Sequence, residues 1–231
     1  NAATTYKPQI VIDEVTKYLS METANSGRGD YHDAYLVDKK IEDTRLLVKD
    51  FINAKDVDEI IFTQGTTMSV NLLATSYAAK VLNEGDEILL SIAEHGSNTL
   101  PWFDIAKVTG AKVVFMPLSD KGLITVDILK KHLTKRTKIV AVTHISNVLG
   151  YVNDIKSIAK VVHDHGSIII VDGAQSVPHL KTDVQDLDID FLAFSGHKML
   201  APTGIGVLYG KKEHLMMMNH HFSGGGMNSS Y

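Results

Sequence analysis

From about residue 59 onward, short β-branched or aliphatic runs alternate with stretches whose apolar residues recur at helical spacing. That alternation predicts strand-helix units and a mainly parallel sheet. The predicted strands are Glu59–Thr63, Glu87–Ser91, Lys112–Met116, Lys138–Thr143, Ser167–Val171, Phe191–Phe194 and Ile205–Tyr209. Runs such as Ile168-Ile-Ile-Val171 contain no polar position, as expected of strands covered on both faces. Helical spacing marks Met68–Val81, Asn98–Val108, Val126–Leu133 and Ile155–His165, most of them entered through a Ser, Thr, Asp or Asn able to cap free amides. The expected fold class is α/β, a mostly parallel seven-stranded sheet with helices on both faces. The first 55 residues differ. They carry helical patterns at Pro8–Ser20 and Asp38–Ile52 around the polar segment Thr23–Asp30, so residues 1–55 read as an N-terminal helical arm and 56–231 as the large domain.

Ligands of parallel sheets bind beyond the carboxyl ends of the strands. Here the residues that follow the apolar runs are polar: Gln64-Gly-Thr-Thr67, Glu94-His-Gly-Ser-Asn98, His144-Ile-Ser-Asn147, Asp172-Gly-Ala-Gln175 and Ser195-Gly-His-Lys-Met199. Five loops are therefore expected to converge on one rim. Gly65-Thr66-Thr67 at a helix start offers amides, hydroxyls and the positive end of a helix dipole to a phosphate, although a plain capped turn has the same residues. Asp172 at a strand end could cap a helix, bind a metal or hold a protonated ring nitrogen; no second acid at metal-ligand spacing accompanies it. Lys198 could be a solvated surface lysine, or an amine desolvated between Phe194 and Met199 and so made nucleophilic. Taken together the three point to pyridoxal phosphate, which needs a Schiff-base amine, a pyridinium partner and a phosphate cradle.

Composition narrows the field. The 231 residues are 44% hydrophobic and 22% charged, enough for a full core, and contain no cysteine, which excludes disulfides, thiolate metal sites and a nucleophilic thiol within them. A formal charge of −4 gives no basic excess for nucleic acid. No apolar run approaches a membrane span or a signal peptide, so a soluble cytoplasmic protein is expected. The chain starts on Asn1 rather than Met and ends in a glycine- and serine-rich stretch, so both ends read as cut. His144, His163, His165, His179, His220 and His221 are expected at the surface or in packing; none has zinc-site spacing, and no metal site is expected. Gly204-Ile-Gly206 with Gly210 reads as part of a late strand rather than a dinucleotide fingerprint.

Asn1-Ala-Ala-Thr-Thr5, Phe62-Thr-Gln-Gly-Thr-Thr67, Glu94-His95, His144-Ile-Ser-Asn-Val-Leu-Gly150, Val171-Asp-Gly-Ala-Gln175 and Phe194-Ser-Gly-His-Lys-Met199 carry a resemblance to the class V aminotransferase family of pyridoxal-phosphate enzymes, most closely to SufS-type cysteine desulfurases. The resemblance implies a fold-type I large domain and catalytic roles for Lys198, as the Schiff-base lysine and proton shuttle, and for His95, stacked on the cofactor ring. It further implies Asp172 at the ring nitrogen and Gln175 at the phenolic oxygen. Thr66, Thr67, Ser195 and His197 would hold the phosphate, with Asn147 near the cofactor and the substrate carboxylate. The implied reaction converts cysteine to alanine and passes sulfur to an enzyme cysteine and on to an acceptor protein for iron–sulfur cluster assembly, in a homodimer. The small C-terminal domain that carries that cysteine and a carboxylate-binding arginine would lie beyond Tyr231. Two departures bear on substrate: Gly27 replaces a histidine in Asn25-Ser-Gly-Arg-Gly29, and His95-Gly96 replaces a double histidine. The alternatives are a class V relative without a catalytic cysteine, such as a selenocysteine lyase-like enzyme, and a silent cofactor-binding fragment.

Overall fold

A computed structural model describes residues 2–27 and 30–224; Asn1, Arg28 and Gly29 of the motifs above, and residues 225–231, lie outside them. The strands β1 (Ile60–Thr63), β2 (Glu87–Ser91), β3 (Lys112–Met116), β4 (Thr137–Thr143), β5 (Ile168–Asp172), β6 (Phe191–Ser195) and β7 (Gly206–Gly210) form one sheet. Their order is β1-β7-β6-β5-β4-β2-β3. The pairs from β3 through β6 are parallel, whereas β7 runs antiparallel to both of its neighbours. Because β7 is reversed between them, β1 and β6 end at the same edge, and all the polar loops named above open on one rim.

Alternation along the strands divides the core. In β4, Val140 and Val142 face one layer with α7 (Ile155–Asp164) and α6 (Val126–His132), where Ile158, Val162 and Leu129 pack. Ile139 and Ala141 face the other layer, which holds α3 (Thr66–Leu72), its continuation through a π-helical segment at Leu73–Ala78 into α4 (Ala79–Val81), and α5 (Leu100–Thr109). Trp102 of α5 is fully buried there, and burial of a side chain that large contributes about 2–3 kcal/mol. Helix α5 stops at Gly110, whose φ of +75° is the left-handed conformation that commonly closes helices.

Before the sheet come α1 (Gln9–Lys17), which continues as a π-helical turn at Tyr18–Glu22, and α2 (His32–Phe51). Helix α2 starts six residues earlier than the pattern predicted, because its first two turns bury only Ala34 and Val37 and so show little periodicity. Just after it, Ile52 and Ala54 enter the main core. Two short helices, α8 (Val184–Leu187) and α9 (Lys212–Leu215), were not predicted; a single turn is too short to show a period. Among the described residues no helix is long and apolar enough to cross a membrane.

At the end of the sheet away from the rim, the buried Asp190 carboxylate sits just before β6. It accepts hydrogen bonds from the Ile169 N–H at 2.8 Å and His163 Nε2 at 2.9 Å and forms an ion pair with Lys211 at 2.9 Å, with His214 Nε2 3.4 Å away. His163, expected at the surface or in packing, is thus part of a charge cluster that closes the bottom of the core.

Candidate active site

The rim loops enclose a cavity of about 430 Å³. Every site residue inferred from the sequence lines it: Thr66 and Thr67 from the start of α3, His95 from the loop after β2, and Asn147 from the loop after β4. Asp172 and Gln175 come from the end of β5, and Ser195, His197 and Lys198 from the end of β6 and the 3₁₀ turn Gly196–Lys198. The arrangement requires unusually close backbones. A Cβ on Gly206 would lie 2.4 Å from Gly65 Cα, so β7 and the β1–α3 turn can touch only as glycines. Gly65 itself has φ +148°, where side chains are strained. This contact brings Ser195 Oγ within 2.8 Å of both the Thr66 N–H and the Thr66 hydroxyl. Two hydroxyl residues 129 positions apart thereby meet at the positive end of a helix, a surface suited to an anion.

Asp172 terminates β5 with 5% of its surface exposed. Burial pushes its pKa up, while the Ala174 N–H on Oδ1 at 2.9 Å and the positive charges of Lys198 and His95 oppose the rise. A buried carboxylate in that balance is matched to a cationic N–H placed in the cavity. His95 caps the 3₁₀ turn Gly96–Asn98, its Nδ1 accepting from the Ser97 N–H at 3.2 Å. The Gln175 amide donates to the Ala2 carbonyl at 2.7 Å, and its backbone carbonyl is held by His179 Nδ1 at 2.6 Å. His144, set aside in the sequence reading, does not line the cavity. It is buried beneath the rim, where desolvation lowers its pKa, and its Nδ1 has no hydrogen-bond partner among the described residues.

Sequence reasoning assigned no site role to five contributors. Ala2 and Ala3 line the cavity, delivered by a segment far away in the chain. Thr143 and Ile145, which flank His144, also line it. Glu94, next to His95, accepts from Ser91 Oγ and, at 2.7 Å, from Asn98 Nδ2, and Asn98 in turn accepts from Trp102 Nε1 at 3.2 Å. Burial lifts the Glu94 carboxyl from the ordinary 4.5 to about 8; the Ser91 and Asn98 bonds lower it, and the nearby Asp172 adds to the rise. The His95 loop therefore hangs on a carboxyl whose hold on a proton is strengthened by burial. The Glu94-His-x-Ser-Asn98 spacing was visible in the sequence, but the chain of hydrogen bonds from Glu94 through Asn98 to Trp102 was not.

Comparison with known proteins places this geometry. The profile of the Aminotransferase class-V family matches residues 1–231. The chain is 48% identical to a probable cysteine desulfurase of Halalkalibacterium halodurans, over 98% of this chain and 56% of the relative. It is 43% identical to the cysteine desulfurase CsdA of Escherichia coli, over 98% of this chain and 57% of that protein. The crystal structure of CsdA superposes with a TM-score of 0.90 over 97% of this chain and 56% of that one. An apo cysteine desulfurase structure from Thermococcus onnurineus, 38% identical, gives 0.92 over 98% and 56%. The chain thus spans about half the length of these relatives. The sheet order, the rim of polar loops and the match along the whole sequence lead to one conclusion: the chain belongs to the class V aminotransferase family.

Proposed function

We propose that the cavity binds pyridoxal 5′-phosphate and that the protein acts as a cysteine desulfurase, releasing sulfur from L-cysteine and leaving L-alanine. The observation that carries this reading is the convergence of Lys198, the buried Asp172 and the Thr66–Ser195 anion surface in one cavity, because the cofactor requires an amine, a partner for its ring nitrogen and a phosphate seat. The residues fit the group. A buried acid whose charge is only partly compensated suits a pyridinium, and the glycine contact at Gly65 leaves the start of α3 open to an anion.

When bound, the cofactor supplies an electron sink for the pair left when a bond at the substrate Cα breaks. The chain's own residues do the rest. Lys198 anchors the cofactor through Nζ and, once displaced, moves a proton at the substrate Cα. Asp172 keeps the proton on the ring nitrogen. Thr66, Thr67, Ser195 and His197 would hold the phosphate, His95 would cover the ring face, and Gln175 would serve as a donor to the phenolic oxygen. Asn147 orients the substrate carboxylate. The sulfur atom that leaves the substrate needs a thiolate acceptor, and these 231 residues contain no cysteine, so the acceptor thiol is supplied from outside them. The same reading includes a homodimer in the cytoplasm and an acceptor protein for the sulfur.

The test is spectroscopic and then chemical. Mixed with pyridoxal 5′-phosphate, the chain is expected to develop a visible band that is absent in Lys198→Ala. A band that persists in that variant, or no band in the wild type, rejects the cofactor site. With excess dithiothreitol, which takes the sulfur as a persulfide and then releases it as sulfide while closing to its own disulfide, L-cysteine should give equimolar alanine and sulfide.

A further inference from the structure

The residues that precede α1 take no part in the reaction just described, yet they are fastened to the site at three points. The Ala2 carbonyl receives the Gln175 amide at 2.7 Å. The Leu200 N–H donates to Thr5 Oγ1 at 3.2 Å. The third point is the carbonyl oxygen of His197, the residue immediately before Lys198. It is approached by the Thr5 N–H at 3.0 Å, the Thr5 hydroxyl at 3.0 Å, the Thr4 hydroxyl at 3.1 Å and the Lys7 ammonium at 3.0 Å. A peptide oxygen has two lone pairs, so this one gathers more donors than such an oxygen ordinarily serves, and one of them is charged. Lys7 is itself fixed by a second bond, to the Thr5 carbonyl at 2.7 Å.

The turn held in this way is one that benefits from being held. Leu200, two residues after Lys198, has φ +74°, a left-handed conformation that leucine rarely adopts. Its N–H bonds to the same Thr5 hydroxyl that bonds the His197 carbonyl, so one side chain bridges the residues on either side of Lys198. Inside the turn, Gly196 cannot carry a side chain without meeting Ala201 and Ile205, which leaves the turn no alternative packing on that side. The charges are close enough to be felt: burial lowers the pKa of the His197 ring, and the ammonium groups of Lys198 and Lys7 lower it further.

We infer that Thr5 and Lys7 are positioning residues that clamp the turn carrying Lys198 and thereby set where its amine meets pyridoxal 5′-phosphate. The inference rests on the role proposed above for Lys198, but part of its test does not. In the cofactor-free chain, amide hydrogen exchange at Met199, Leu200 and Ala201 reports the turn directly. Lys7→Met, which keeps the aliphatic stem and removes the charge, and Thr5→Val, which keeps the shape and removes the hydroxyl, are each expected to speed exchange there by about tenfold or more. Exchange in the sheet strands should be unaltered, which also shows that the variants are folded. In the reconstituted protein both variants should bind the cofactor about tenfold more weakly and show a weaker induced circular dichroism of the visible band. Lys7→Arg and Thr5→Ser, which restore a cationic donor and a hydroxyl, should recover most of both signals.

Unchanged exchange in Lys7→Met and Thr5→Val overturns the clamp, whatever the cofactor does. Faster exchange with unaltered cofactor affinity and dichroism also overturns it, since the segment would then be a tether with no bearing on the amine. A wild type without a Lys198-dependent band rejects the proposed function instead, and the exchange measurement still decides whether the clamp exists.

Discussion

Glu94 shows how a single residue can shape the pH response of the site without lining it. Its folded pKa of about 8 lies above the ordinary 4.5, so its contribution to stability is fully present below pH 4.5 and is lost as pH rises toward 8. In Glu94→Gln that loss is absent. The difference in melting temperature, variant minus wild type, should therefore increase between pH 5 and pH 8 and level off above; calorimetry at three pH values checks it, and a constant difference would show that Glu94 is ionised in the fold. None of this was legible from Glu94 in the sequence, because the effect arises from desolvation in the folded chain rather than from residue type. Lys198, Asp172 and Thr66 were legible because each follows an apolar run that ends where a sheet binds ligands. Lys7 and Ala2 were not, since only the folded chain brings them against residues about 170 to 190 positions away.

Among the elements, β7 is the one whose sequence misleads. Its residues read correctly as a strand, but no residue records its direction, and the antiparallel insertion between β1 and β6 is what lets Gly65 and Gly206 touch. Replacing Gly206 with alanine places a Cβ against backbone atoms on two sides, Gly65 Cα at 2.4 Å and the Phe194 oxygen at 2.7 Å, and neither side can yield as a side chain would. Gly206→Ala is expected to cost about 3 kcal/mol, read as a lower urea midpoint, and to part Thr66 from Ser195, read as weaker cofactor binding. A variant with wild-type stability and affinity would show that the two glycines do not need to meet. The short helices α8 and α9 escaped prediction for the opposite reason, having too few residues to display any pattern.

At the scale of the molecule, the sheet is sealed by chemistry of opposite kinds at its two ends, a cavity at the rim and the Asp190 cluster at the base. Burial alone would raise the Asp190 pKa, but His163, His214, the Ile169 N–H and Lys211 together hold it far below the usual carboxylate range. Its stabilising contribution is present above its ordinary value of 3.8 and is lost as pH falls below that. His163 is shifted the other way, raised by its bond to Asp190 against the effect of burial, so its contribution is present below 6.5 and is lost as pH rises past its folded value. The cluster is therefore strongest in mildly acid solution. Asp190→Asn should cost about 3 kcal/mol near pH 6, measured by urea unfolding, and the cost should shrink above neutrality as His163 loses its charge. A cost that does not change with pH would place the whole effect in packing.

The reversed strand also sets an order of events during synthesis. Among the described residues β1 pairs only with β7, and the Thr66 seat for an anion is completed only when Ser195 and Gly206 arrive. Ribosomes add about 5–20 residues per second, so the first strand emerges on the order of ten seconds before its partner and must wait without a sheet to join. Once the first 200 residues have left the exit tunnel, β2 through β6 and most of both cores can assemble, yet the anion seat at α3 is still incomplete. Capture of the cofactor proposed above is thus expected at the closing of the sheet: a ribosome-stalled chain should acquire it abruptly as residues 206–210 leave the exit tunnel rather than gradually with length.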